Sequence, residues 1–340
     1  MRTLAARAFV RLPAPLRAAI IGRRPVVVDE RPLDRQVQLL LWAEARLRLP
    51  FTGDVTVPQA RARFRRLAPL LAPTPPRHER AELTVAGAAG PLRARSYAPP
   101  GAGRAPLPGL VYLHGGGWVV GDLDTHDAVC ATLAVAAGCR VISVDYRLAP
   151  EHPFPAPVDD AWAAFQDVVR RAGELALDPA RVGIGGDSAG GNLSAAVALL
   201  ARDAGGPAPR VQALVYASVD QTREAPSHAL FGRGFLLTAD DVRWFRGHYL
   251  RGDADRRDLR ASPLLADLHG VAPAIVVTAG FDVLRDEGRA YAARLREAGV
   301  PVDERREPDL VHGFLGLAGP VNAARRAFDG LAASLRAALG

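Results

Sequence analysis

The sequence contains no lysine: all 43 basic residues among its 340 are arginine. A Gly-rich phosphate loop ends in Lys-Ser or Lys-Thr, so that class of nucleotide chemistry is excluded. The bias itself reads as compositional. Cysteine is nearly absent as well, with only Cys130 and Cys139. Two cysteines in a long chain make no disulfide framework; both are expected to be buried thiols, as suits a reducing compartment. No apolar run approaches the roughly 18 residues that span a bilayer. There is no repeat with a period of about 20–50 residues and no low-complexity tract. A cytoplasmic location is expected, with membrane association as the alternative.

Acidic residues are missing from the first 28 positions, which carry six arginines and no serine. Arg7 and Arg11 interrupt the apolar stretch, which argues against a secretory signal, and the lack of serine argues against a transit peptide. Residues 1–28 are expected to pack on the body as a helical lid segment. The alternative is a weak membrane-surface contact, with Leu4, Phe9, Leu12, Leu16 and Ile20 as its apolar side. Pro13 and Pro15 argue against one continuous helix. The net charge of +7 resides at this end: residues 1–66 carry 14 arginines against 5 acidic residues, and residues 67–340 carry 29 against 31. A near-neutral body is not that of a general nucleic-acid binder, and no nucleic-acid partner is expected.

What is present is a large apolar fraction, 49% of residues, enough for a sizeable core. From about residue 81 the pattern alternates between strand and helix. Short runs at 82–86, 92–97, 110–113, 141–145, 181–184, 211–216, 274–278 and 302–306 read as strands, several of them rich in Val and Ile. Helical stretches fall at about 125–137, 157–171, 189–203, 286–298 and 321–337. The alternation predicts a mostly parallel sheet with helices on both sides, and ligands bound beyond the carboxyl ends of its strands. Two segments break the alternation. One is residues 1–60, with helical spacing through Leu39, Leu40, Trp42, Ala43 and Leu47. The other is about 219–260, where Thr238 with Asp240 and Asp241 opens a helix through Trp244, Phe245 and Tyr249. The expected organisation is an N-terminal cap segment at 1–60, a catalytic core at 61–218, a cap insertion at 219–260 and the rest of the core at 261–340. Pro-rich 69–76 and Pro/Gly-rich 98–109 read as connecting loops.

Gly186-Asp187-Ser188-Ala189-Gly190 fits a G-x-S-x-G nucleophile elbow. A serine in a sharp strand-to-helix turn exposes its hydroxyl, and glycines two residues to either side let helix and strand approach. With 8 serines and 33 glycines, chance gives about 0.08 such matches, so the strand before it and the helix after it matter as much as the motif. His114-Gly115-Gly116-Gly117-Trp118 follows another strand. Consecutive glycines let backbone N–H groups point into a cavity and stabilise a developing oxyanion. The N–H groups of Gly115, Gly116 and Ala189 are assigned to this role, with Gly117 completing the hole as its flexible member. His114 is expected to hold the loop, since it precedes the serine.

Hydrolases built this way run Ser, then Asp or Glu, then His along the chain. Of His228, His248, His269 and His312, the last lies in a loop just after the final strand and is the expected base. The acid should follow the penultimate strand, which selects Asp282 over Asp286 and Glu287; these two sit in a first helical turn, where the dipole favours carboxylates. Asp282 would hold the imidazole tautomer and stabilise the imidazolium.

HGGGW at 114–118, DYRLAPEHPFPAPVDDA at 145–161, GDSAGG at 186–191, FDVLRDEG at 281–288 and HGF at 312–314 together resemble the bacterial hormone-sensitive-lipase-like esterases. The resemblance covers about residues 80–340, and residues 26–48 resemble the N-terminal cap segment of one branch. It implies an α/β-hydrolase fold with a helical cap, no cofactor and no metal, and hydrolysis of short- to medium-chain acyl esters through an acyl-enzyme. It implies Ser188, Asp282 and His312 as the triad, and Asp187, Asp145, Arg147 and Glu151 as bracing residues. The sequence departs from the family at Val283 and Ala217, where proline is common, and both changes alter loop stiffness. Trp118, Phe231, Phe235, Leu236, Trp244 and Phe314 are candidates for an apolar acyl pocket. The alternatives are a related hydrolase of amides or formamides, or a non-catalytic small-molecule binder on the same fold. The sequence is compatible with a homo-oligomer.

Overall fold

Pro13 divides the first 21 residues into two helices, α1 (Arg2–Val10) and α2 (Ala14–Ile21). Its fixed φ and missing N–H suit the entry to a helix and not its interior. The computed structural model describes residues 2–47 and 55–340; Met1 and residues 48–54, within the expected N-terminal cap segment, lie outside the described residues. Two short strands, β1 (Val27–Val28) and β2 (Arg31–Pro32), pair as a small antiparallel hairpin. Then come α3 (Arg35–Leu47) and α4 (Val57–Leu71). α4 lies outside the expected helices, crosses the expected boundary at residue 60 and contains Pro69. The loop expected from residue 69 therefore begins only after Leu71.

The remaining strands are β3 (Glu79–Gly87), β4 (Gly90–Ala98), β5 (Leu107–Leu113), β6 (Arg140–Val144), β7 (Leu177–Asp187), β8 (Gln212–Val215), β9 (Ala274–Phe281) and β10 (Val302–Val311). All eight correspond to the runs read from the sequence. They form one sheet in the order β10-β9-β8-β7-β5-β6-β4-β3. Strands β5 to β10 are parallel, and β4 and β3 add antiparallel at one edge. Every residue of β6, β8 and β9 is buried, as strands covered on both faces require.

Helices α5 (Asp127–Ala137), α6 (Ala156–Arg170), α7 (Ala189–Asp203), α11 (Arg285–Glu297) and α12 (Asn322–Leu339) cover the sheet. Alternation along β5 shows how. Leu110 and Tyr112 join a core with Leu133 of α5 and Phe328 and Leu331 of α12. Val111 and Leu113 join the opposite core with Phe165 of α6 and Leu193 of α7. The segment between β8 and β9 carries α8 (Pro226–Phe231), α9 (Ala239–Tyr249) and α10 (Asp253–Arg257). α9 starts where its signal predicts: Thr238 and Asp241 cap each other's backbone in a reciprocal box. Cys130 and Cys139 are free and buried. Among the described residues no helix is long and apolar enough to cross a membrane.

Candidate active site

The parallel strands end along one edge of the sheet, and five of the six ends lead into a residue singled out above. His114 follows β5, Asp145 follows β6, Ser188 follows β7, Asp282 follows β9 and His312 follows β10. Ser188 takes φ 55° and ψ −116°, a left-handed conformation that costs a non-glycine residue energy and lifts its side chain out of the turn. The flanking glycines are obligatory. A Cβ on Gly186 or on Gly190 would run into the Leu113 carbonyl.

Ser188, His312 and Asp282, expected as a triad, are brought together. Ser188 Oγ lies 2.9 Å from His312 Nε2, and His312 Nδ1 lies 2.8 Å from Asp282 Oδ2. The second oxygen of Asp282 accepts the Leu284 N–H at 2.9 Å, which fixes the carboxylate plane. Hydrogen-bond geometry then assigns the tautomer: Nδ1–H donates to Asp282, and bare Nε2 faces the serine hydroxyl. Asp282 and His312 are buried, whereas Ser188 keeps a reachable surface. The Tyr216 ring lies 4.7 Å from the imidazole and limits its movement.

The glycine loop corrects one expectation. The N–H of Gly115, expected as an oxyanion donor, donates instead to Asp187 Oδ1 at 2.9 Å, and Gly115 is buried. Gly116 and Gly117 are half-buried; among the described residues their N–H groups and that of Ala189 have no acceptor. Ala189 opens α7, where the first amides of a helix have no partner of their own. Both glycines have positive φ, 124° and 58°, and a Cβ on Gly117 would strike the ring of Phe245.

Asp187 collects donors beneath this loop. Besides Gly115 it accepts from Tyr112 Oη at 2.8 Å, and His126 Nε2 lies 3.3 Å away. Burial alone would raise its pKa, but His126, Tyr112 and the Gly115 N–H hold it down at about 2. His114 is fully buried, stacks on Tyr146 at 4.3 Å and turns Nδ1 to the Gly115 carbonyl at 2.9 Å. Burial, with His126 nearby, pushes its pKa down to about 4, so it stays neutral at pH 7. Arg147 grips both oxygens of Asp160, Glu151 pairs with Arg61, and Asp145 faces Arg93 at 3.8 Å. None of the last three bracing residues has a hydrogen bond to the triad.

The expected pocket divides. Phe314 and Phe231 expose 0% and 1% of their surface and line no open space. Phe314 packs edge-on against Tyr216, and Phe231 against Phe281 and Phe235. Trp118 is likewise buried, lying flat on Tyr249 at 4.2 Å. These three are packing residues, because ring-to-ring contact here removes the area a ligand would need. Phe235, Leu236 and Trp244 stay half-buried and accessible. Sequence reasoning missed Tyr112, His126, Tyr216 and Arg61, which no motif marks. Helical spacing from Thr238 did include Phe245, and only the fold shows that it meets Gly117.

Residues 110–316 match the model of a family described by the alpha/beta hydrolase fold. The carboxylic ester hydrolase LipN of Mycobacterium tuberculosis (strain ATCC 25618 / H37Rv) is 47% identical over 315 residues, covering 90% of this chain and 83% of that protein. The carboxylesterase NlhH of Mycobacterium tuberculosis (strain CDC 1551 / Oshkosh) is 44% identical over 297 residues, with 84% and 91% covered. An ester hydrolase from the metagenome of Lake Arreo superposes with a TM-score of 0.86 at 42% identity, over 90% of this chain and 98% of that one. With its sheet order, its serine elbow and these relatives, the chain belongs to the alpha/beta-hydrolase fold family.

Proposed function

We propose that this protein is a serine carboxylesterase that hydrolyses short- to medium-chain acyl esters through an acyl-enzyme on Ser188. The unbroken run of hydrogen bonds from Ser188 through His312 to Asp282 carries the reading. Ser188 Oγ attacks the ester carbonyl as His312 Nε2 takes its proton. The tetrahedral oxyanion is received by the N–H groups of Gly116, Gly117 and Ala189. His312 then returns the proton to the departing alkoxide, and water repeats the sequence on the acyl-enzyme. Asp282 keeps the imidazole in the working tautomer. The accessible Phe235, Leu236 and Trp244 suit an apolar acyl chain, and no cofactor is needed. Residues 1–60 and 219–260 act as a cap; the contact of Phe245 with Gly117 supports this for the second segment. Two free, buried cysteines support a cytoplasmic location.

Ser188→Ala tests the reading: turnover of an aryl ester should fall by about 10⁶. Survival of comparable activity refutes it. A panel of aryl esters from C2 to C12, run beside the matching anilides and formanilides, sets the acyl range and separates ester from amide chemistry.

A second reading concerns residues 1–28, as a weak contact with an anionic membrane surface. Leu4, Leu16, Val26 and Val27 are among the exposed large apolar side chains, and α2 buries none of its residues. The guanidinium groups of Arg7, Arg11 and Arg17 meet backbone carbonyls and the Thr74 hydroxyl, which do not neutralise their charge. Flotation of the protein with anionic against zwitterionic vesicles tests it. Salt-sensitive recovery with the anionic vesicles alone is expected, and equal recovery with both refutes it.

A further inference from the structure

We infer that Arg61, on α4 and outside every motif of the hydrolase core, is a positioning residue that sets the oxyanion loop. The inference rests on the reading of Gly116 and Gly117 as oxyanion donors. Arg61 makes four hydrogen bonds across two separate loops. Nε donates to the Val119 carbonyl at 2.8 Å and Nη2 to the Ala149 carbonyl at 2.9 Å. Nη1 and Nη2 donate to the two oxygens of Glu151 at 2.8 and 2.6 Å.

Those carbonyls bracket the turn that carries the free N–H groups. Val119 and Val120 both fold their N–H onto the Gly116 carbonyl, at 3.1 and 2.9 Å, and Ala149 N–H donates to Trp118 O at 2.9 Å. Within the turn Gly116, Gly117 and Trp118 all have positive φ, and Trp118 at 62° pays for a conformation its Cβ disfavours. A turn of that kind persists only where its surroundings over-determine it. Arg61 supplies that restraint from outside: it fixes the direction of the Val119 carbonyl and ties the turn to 149–151. A planar fork is required, because one guanidinium must meet two carbonyls and a carboxylate together. A lysine ammonium is a point charge and meets fewer of them. Glu151 orients the fork, and the hydrogen bond from Arg61 holds its carboxyl down at about 2, so the pair stays charged at neutral pH. Arg61 and Glu151 are both partly exposed, so the pair itself adds little stability. Its effect is on geometry.

The test is steady-state kinetics of full-length Arg61→Ala, Arg61→Lys and Glu151→Gln on a soluble aryl ester, beside Ser188→Ala. Loss of one oxyanion donor costs about 10²–10³ in rate, and a misplacement of about 1 Å costs about 10². Arg61→Ala should lower kcat about 10- to 100-fold, with KM within about twofold and the pH profile unmoved. Methylguanidinium added to the medium should restore part of the loss. Arg61→Lys should fall between, and Glu151→Gln should lose less than Arg61→Ala. Wild-type kcat in Arg61→Ala, with Ser188→Ala inactive, overturns the role of Arg61 and leaves the esterase reading standing. A loss that tracks the unfolded fraction and ignores methylguanidinium overturns it in favour of plain structural support. An active Ser188→Ala overturns both.

Discussion

Gly115 gives its N–H to Asp187 Oδ1 at 2.9 Å, so the first glycine of the loop serves as an anchor for the two that follow. Removing the acceptor leaves a buried N–H unpaired, at a cost of about 1–3 kcal/mol. Asp187→Ala should therefore lower both stability and kcat, the latter about 10- to 100-fold if the loop drifts by a fraction of an ångström. Asp187→Asn keeps a carbonyl oxygen and should lose less. Urea unfolding and aryl-ester kinetics measured on the same preparations check this, and a wild-type kcat in Asp187→Ala contradicts it.

Asp282 orients His312 through the 2.8 Å contact with Nδ1. In Asp282→Asn an amide N–H can face Nδ1 and turn the imidazole to the tautomer whose Nε2 carries the proton. Turnover should fall by about 10⁴ with the fold intact. A loss below tenfold means the imidazole is held mainly by Tyr216 and the loop.

Tyr249 is fully buried against Trp118, and its Oη has no partner among the described residues. Its ring is needed and its hydroxyl is not. Tyr249→Phe should be neutral, or more stable by up to about 1 kcal/mol, with kcat unchanged. A shift of the urea midpoint in the destabilising direction argues for an unseen partner.

Glu287 is buried, and burial raises its pKa to about 8 in spite of Arg246 and the Val219 and Asp220 amides. Below its unfolded value near 4.5 the group is protonated in both states. Between about 4.5 and 8 only the folded protein keeps the proton, so stability falls as pH rises through this window and levels off above it. Glu287→Gln removes the titration. The difference in unfolding free energy between this variant and wild type should widen from pH 5 to 8, with a limiting slope of about 1.4 kcal/mol per pH unit. A flat difference refutes the assignment.

The strands and the proposed triad were legible because they obey local rules. Runs such as Val141-Ile-Ser-Val and Ala274-Ile-Val-Val have one stable place in a doubly covered sheet, and chain order selected Asp282 and His312. What escaped depends on contacts between distant segments. α4 carries Pro69 and four arginines, and the sequence marks its end, from Pro69, as the start of a loop. The role of Gly115 turns on Asp187, 72 residues away. Part of the expected pocket escaped for a similar reason: Phe231, Phe314 and Trp118 look alike in sequence whether they face a ligand or another ring, and only burial separates them.

Ser188 and His312 are 124 residues apart, and the histidine follows β10, a strand at the border of the sheet. The proposed nucleophile and its elbow belong to the middle of the chain, and the proposed base belongs to its end. β10 is held in place by pairing with β9, Val302 beside Ala274 and Val311 beside Phe281. Without β10 the elbow after β7 would have no histidine within reach, whatever the state of the other strands. Under the proposed mechanism, activity therefore reports the seating of a border strand as well as the turn at the middle of the sheet.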